Sequence, residues 1–110
     1  MKIDNKTVDI TWENNNSVKE LLDFAKNGLT IYMSRYGGFE QVGSIGKSIK
    51  SNNKQMTTSP GDVVLYNSNQ IVIFFGTNTW SYTKLGHINL SQTELKTLLD
   101  KSNIKLYLSN

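Results

Sequence analysis

The sequence predicts a mainly β domain, a closed or nearly closed β-barrel with two short α-helices. Apolar and polar side chains alternate with a period of two in one segment after another, the pattern of strands with one buried face. Two Ser-x-x-Glu boxes, Ser17 with Glu20 and Ser91 with Glu94, each precede apolar residues at helical spacing. Seven or eight strand segments with only two helices then suggest a sheet that curls on itself. At 110 residues the chain has the common size of one domain, 1–110, and can bury a core without metal or disulfide staples.

The elements follow in order. In residues 7–13, Val8, Ile10 and Trp12 alternate with Thr7, Asp9, Thr11 and Glu13, so this stretch reads as one strand, with Trp12 in the core. Lys2 to Asp4 is placed to pair with it through a tight turn at Asp4-Asn5-Lys6. After the break at residues 14–16, the Ser17 box and Val18, Leu21, Leu22 and Ala25 predict a helix over 18–27, stopped by a left-handed Gly28. Leu29, Ile31 and Met33 mark the next strand. Val63 to Tyr66 and Ile71 to Phe75 flank residues 67–70, the strongest hairpin signal in the chain. Strands are also predicted over 79–83 and 85–88, a second helix over 92–101, and a last strand through Ile104, Leu106 and Leu108. Residues 46–60, rich in Lys, Ser, Asn and Thr, read as a long loop.

Composition excludes much chemistry. With no cysteine and one histidine, the chain has no disulfide framework, no thiolate nucleophile and no Cys- or His-cluster metal site, so neither metal nor cofactor is expected. The opening residues lack the apolar run of a signal peptide and residues 71–75 fall far short of a membrane span, which predicts a cytoplasmic protein with no membrane role. The net charge of +3 comes from scattered lysines and the single Arg35, so no nucleic-acid partner is expected.

The runs Tyr32-Met33-Ser34-Arg35-Tyr36-Gly37-Gly38-Phe39-Glu40-Gln41-Val42-Gly43, Pro60-Gly61-Asp62-Val63-Val64-Leu65-Tyr66, Ile73-Phe74-Phe75-Gly76 and Leu85-Gly86-His87-Ile88 resemble the bacterial cyclophilin-like family of small barrels, over roughly residues 2–90. The resemblance implies the barrel fold. Cyclophilins proper are peptidyl-prolyl isomerases in which a strand arginine polarises the substrate amide beside an apolar proline pocket. By that resemblance Arg35 would be the catalytic donor, Phe39 and Phe75 pocket walls and Gln41 a backbone clamp. The spacing from Arg35 to Phe39 and Gln41 is tighter than in the enzymes, Gly37-Gly38 interrupts the strand, and the segment from Trp80 to Gly86 is short and lacks the pocket histidine.

Each candidate also has a plain structural reading. Surface arginines commonly ion-pair, here with Glu40 nearby in sequence. Tyr36-Gly37-Gly38-Phe39 reads as a turn at a barrel corner, Asp62 as a turn residue and His87 as a strand residue with an ordinary hydrogen bond. Trp80 and Tyr82, two residues apart, share one strand face and would floor a groove. The leading expectation is a barrel that binds a small molecule or an extended peptide in an apolar groove near Arg35, Tyr36, Phe39, Gln41, Phe75, Trp80 and Tyr82. The alternatives are a prolyl isomerase using Arg35, and an interaction module that docks through a strand edge or residues 46–60.

Overall fold

The computed structural model describes residues 1–109. Ten antiparallel strands and two helices run in the order β1 (Lys2–Ile3), β2 (Lys6–Thr7), β3 (Ile10–Trp12), α1 (Asn16–Phe24), β4 (Leu29–Tyr36), β5 (Glu40–Ser44), β6 (Lys54–Thr57), β7 (Asp62–Tyr66), β8 (Gln70–Phe74), β9 (Thr79–Ile88), α2 (Gln92–Leu99) and β10 (Asn103–Leu108). Nine of the strands form the path β2-β1-β10-β4-β5-β8-β7-β9-β3, and β6 pairs with β9 alone.

The sheet is a nearly closed barrel because its two edge strands are almost consecutive in the chain. The hairpin at the N-terminus forms as its turn residues suggest, with Asp4 and Asn5 both at positive φ, 48° and 70°. The single strand expected over 7–13 does not form. β2 lies on one edge of the sheet and β3 on the other, and residues 8–9 step between them. Val8 still donates its N–H to Met1 on the first edge, and the Asp9 carbonyl already accepts from Asn89 beyond the last. Three Cα steps of about 3.8 Å keep Thr7 and Ile10 within roughly 11 Å of each other, so the two edges have to come that close.

Both helices form, one with a different cap from that expected. In α2, Ser91 accepts from the Glu94 N–H while Glu94 accepts from the Ser91 N–H, the reciprocal box read from the sequence. These hydrogen bonds hold the Glu94 carboxyl below its ordinary range. In α1, Asn15 takes the cap by accepting from the Val18 N–H. Ser17 and Glu20 bind the backbone of Lys50 instead, its carbonyl and its N–H respectively. The segment read as a loop over 46–60 is therefore pinned to α1, and its residues 54–57 form β6. α1 ends at Phe24 with Ala25 as its C-cap, short of the expected 27, so Gly28, at φ +98°, closes the turn that follows and does not cap the helix.

The strands predicted over 79–83 and 85–88 are one strand, β9, whose register against β7 shifts between Val63 and Val64. There two β9 positions fit against one on β7, a β-bulge that bends the strand around the barrel.

Burial separates the strands into two kinds. In β10, Ile104, Leu106 and Leu108 point into the barrel while Asn103, Lys105 and Tyr107 remain outside. In β7 and β8 almost every residue is buried. Val63, Leu65, Ile71 and Ile73 join the barrel core with Leu21, Leu95 and Leu99 of the helices. Val64, Val72 and Phe74 face the other way and form, with Tyr82, a second apolar cluster on the outside of the sheet. The unbroken apolar run of residues 71–75 reflects this burial on both faces.

Candidate functional site

The turn Tyr36-Gly37-Gly38-Phe39 joins β4 to β5 as a hairpin, with Gly37 at φ +63°, where a side chain would be strained. The hairpin pairs Tyr36 with Glu40 and Arg35 with Gln41. Side chains directly opposite each other share a sheet face, so the two pairs lie on opposite faces of the same two strands. The expected groove is divided by this alternation.

Gln41 takes the inner face. It is fully buried, and its Nε2 donates to the carbonyls of Leu99 at 2.9 Å and Lys101 at 2.7 Å, which ties the end of α2 to the barrel. Arg35, on the same face at the rim, donates to Asp100 Oδ1 at 2.7 Å, so its ion pair is with Asp100 and not with Glu40. Phe75 is 7% exposed within the barrel core. Phe39 is half-buried and stacks on Phe74 at 6.4 Å between centroids, beneath the outer surface.

The outer face gathers Tyr36, Trp80 and Tyr82 with residues that sequence reasoning missed. They line a groove of about 450 Å³ over β5, β7, β8 and β9, within the size range of small-molecule sites. Buried Glu40, Val72 and Tyr82 make its floor, and exposed Tyr36, Tyr66 and Trp80 its rim; Val42, Gln70 and Asn78 complete the wall. Tyr66 and Tyr82 meet edge to face at 6.1 Å and 64°, and Tyr82 meets Phe74 likewise at 5.6 Å, an arrangement aromatic pairs favour. The Tyr82 hydroxyl accepts from Asn78 Nδ2 at 2.8 Å. The signal for Glu40 was available: a hairpin whose turn is residues 37–39, centred on Gly38, places residue 40 beside residue 36.

Glu40 is the unusual member of this floor. Its side chain is 7% exposed on β5, opposite Phe74, and Oε2 has no hydrogen-bond donor among the described residues. Burial pushes its carboxyl above the ordinary 4.5 because desolvation disfavours the charged form. Burial likewise raises the Tyr82 phenol; the neighbouring Glu40 and Tyr66 add to this and the Asn78 hydrogen bond opposes it. Between the ordinary and the raised pKa, folded Glu40 holds a proton that the unfolded chain has released. Its contribution is complete below the ordinary value and is lost as pH rises through the folded one. Glu40→Gln should therefore match wild type near pH 4 and exceed it by roughly 1 kcal/mol at neutral pH. Urea denaturation across that range checks this, and a difference that stays constant with pH would refute it.

The other buried carboxylate is satisfied from within. Asp62 Oδ2 accepts from the Ser59 N–H at 2.9 Å, the turn role expected of it. Oδ1 lies 2.8 Å from His87 Nδ1, with Lys84 Nζ at 3.8 Å, so His87 has the ordinary hydrogen bond expected. Among the described residues no cluster of His, Cys, Asp or Glu could hold a metal ion, and no helix is long and apolar enough to cross a membrane.

No curated protein and no solved structure matches the chain. The model of the cyclophilin-like family matches residues 1–109. With nearly the whole length matched and the barrel in place, the chain belongs to the cyclophilin-like family.

Proposed function

We propose that the protein binds a small organic molecule in the outer-face groove. The observation that carries this reading is a carboxylate oxygen, Glu40 Oε2, buried without a protein donor in an aromatic-lined floor. Leaving a buried acceptor unmade costs about 1–3 kcal/mol, and such a cost is commonly retained where a ligand removes it. Rings supply apolar contact, and a few polar groups (Glu40, Gln70, Asn78) supply orientation, the usual composition of a ligand site.

The groove has no guanidinium. An isomerase reading built on Arg35 has its donor on the opposite face of β4, held by Asp100, so the geometry favours binding without that catalyst. The interaction reading built on residues 46–60 loses its free loop to Ser17, Glu20 and β9.

The reading is tested by titrating a panel of small aromatic and aliphatic fragments into labelled protein and following backbone amides by NMR. Hits should move Tyr36, Val42, Gln70 and Trp80 together and weaken at least fivefold in Trp80→Ala. Trp80 is 55% exposed, so its removal should leave the fold intact. Hits that move only amides elsewhere, or bind Trp80→Ala equally well, would overturn the proposal.

A further inference from the structure

Of the nine residues lining the groove, four carry aromatic rings, one carries an acidic group and none carries a basic one. That composition is selective. A carboxylate only accepts, and in a dry site it is best matched by a charged donor or a cation. Aromatic faces carry the negative part of the ring quadrupole, so they attract positive charge and repel negative charge. The Tyr66–Tyr82 corner and the Trp80 ring stand on the same face as Glu40, so carboxylate and rings favour the same sign of ligand. We infer that the groove selects an organic cation, a small molecule whose ammonium head sits against Glu40 and the rings of Tyr66, Trp80 and Tyr82. This rests on the groove being the ligand site proposed above.

Competing ligand chemistries fit less well. An anion would meet both the carboxylate and the ring faces with the wrong sign, and no lining residue compensates it. A neutral alcohol supplies one donor to Oε2 but no positive charge for the carboxyl and the ring faces to attract. The net charge of +3 acts on the groove mainly through the lysines near it, because charges more than roughly 8 Å away are screened at physiological ionic strength. Two lysines share the groove's sheet face, Lys54 across from Tyr82 and Lys84 across from Val64; Lys84 Nζ is 3.8 Å from Asp62 Oδ1, and neither lysine lines the groove.

Three probes of one shape separate the charges: choline, 3,3-dimethylbutan-1-ol and 3,3-dimethylbutanoate are positive, neutral and negative, each with the same branched head. Titrated into wild type and followed by NMR, choline should bind at the amides of Tyr36, Glu40 and Val42 at least about tenfold more tightly than the alcohol. The carboxylate should be weakest. In Glu40→Gln the preference for choline over the alcohol should fall to about threefold or less, the part the rings supply. Trp80→Ala, at an exposed position, should weaken choline more than the alcohol. Equal binding of choline and the alcohol, tighter binding of the carboxylate, or a choline preference unchanged in Glu40→Gln would overturn the cation assignment while leaving the groove a ligand site. If none of the three probes moves the groove amides and the fragment panel moves none either, both readings fall.

Discussion

Phe74→Ala should cost about 3–5 kcal/mol of stability, the range of large-to-small changes in a close-packed core, and lower the melting temperature by on the order of 15–30 °C. The reason is position. Phe74 is completely buried, yet it faces away from the barrel interior, where it joins Val64, Val72 and Tyr82 and underlies Phe39. Its removal opens a hole under the groove floor, since Tyr82 leans on it at 5.6 Å. The matching control is Trp80→Ala on the rim, expected to change stability by no more than about 0.5 kcal/mol. Thermal and urea unfolding of the two variants, with near-UV circular dichroism for the tyrosines, would separate a true second core from a surface patch. A Phe74→Ala loss below about 1 kcal/mol would show that the outer cluster is not a core.

Gln41→Leu should cost about 2–4 kcal/mol, because it leaves the Leu99 and Lys101 carbonyls without the donor that Nε2 supplies to both. The loss should appear locally too, as faster amide exchange in the last turn of α2. Arg35→Ala, which breaks an exposed pair with Asp100, should cost no more than about 1 kcal/mol. A ligand clamp would behave differently: its variant would keep its stability and lose only binding. Urea melts of Gln41→Leu and Arg35→Ala side by side distinguish the two roles, and a neutral Gln41→Leu would remove Gln41 from the barrel's framework.

The barrel, both helices and most strands were legible because one-sided burial leaves a period of two or 3.6 in the chain. β10 carries it plainly in Ile104, Leu106 and Leu108. The break at residues 8–9 was not legible: Val8 keeps the alternation, and only the sheet's closure moves the chain to a new edge. β6 was hidden because Lys54-Gln55-Met56-Thr57 buries little of itself, and its pairing partner is distant in sequence. The α1 cap went to Asn15 because Ser17 is buried and committed to Lys50. For the site, Trp80 and Tyr82 were legible as aromatics on one strand face and Tyr36 as part of a glycine turn, whereas Arg35, Gln41 and Phe75 entered through the resemblance to the cyclophilins. A hairpin at residues 36–40 sets neighbours in sequence on opposite faces, so parity along the two strands separates Arg35 and Gln41 from Tyr36 and Glu40.

The pairing of Lys2 with Tyr107 and of Ile3 with Leu106 joins the first strand of the barrel to its last. During synthesis, then, the N-terminal hairpin emerges long before its partner exists, and the seam cannot be sewn until β10 has left the ribosome. The strands between can pair first, but the cylinder stays open along that line until residues 103–108 have been made. Closure joining strands so far apart in sequence is a slow, late event, and it sets an interval during synthesis in which the apolar interior is reachable from outside.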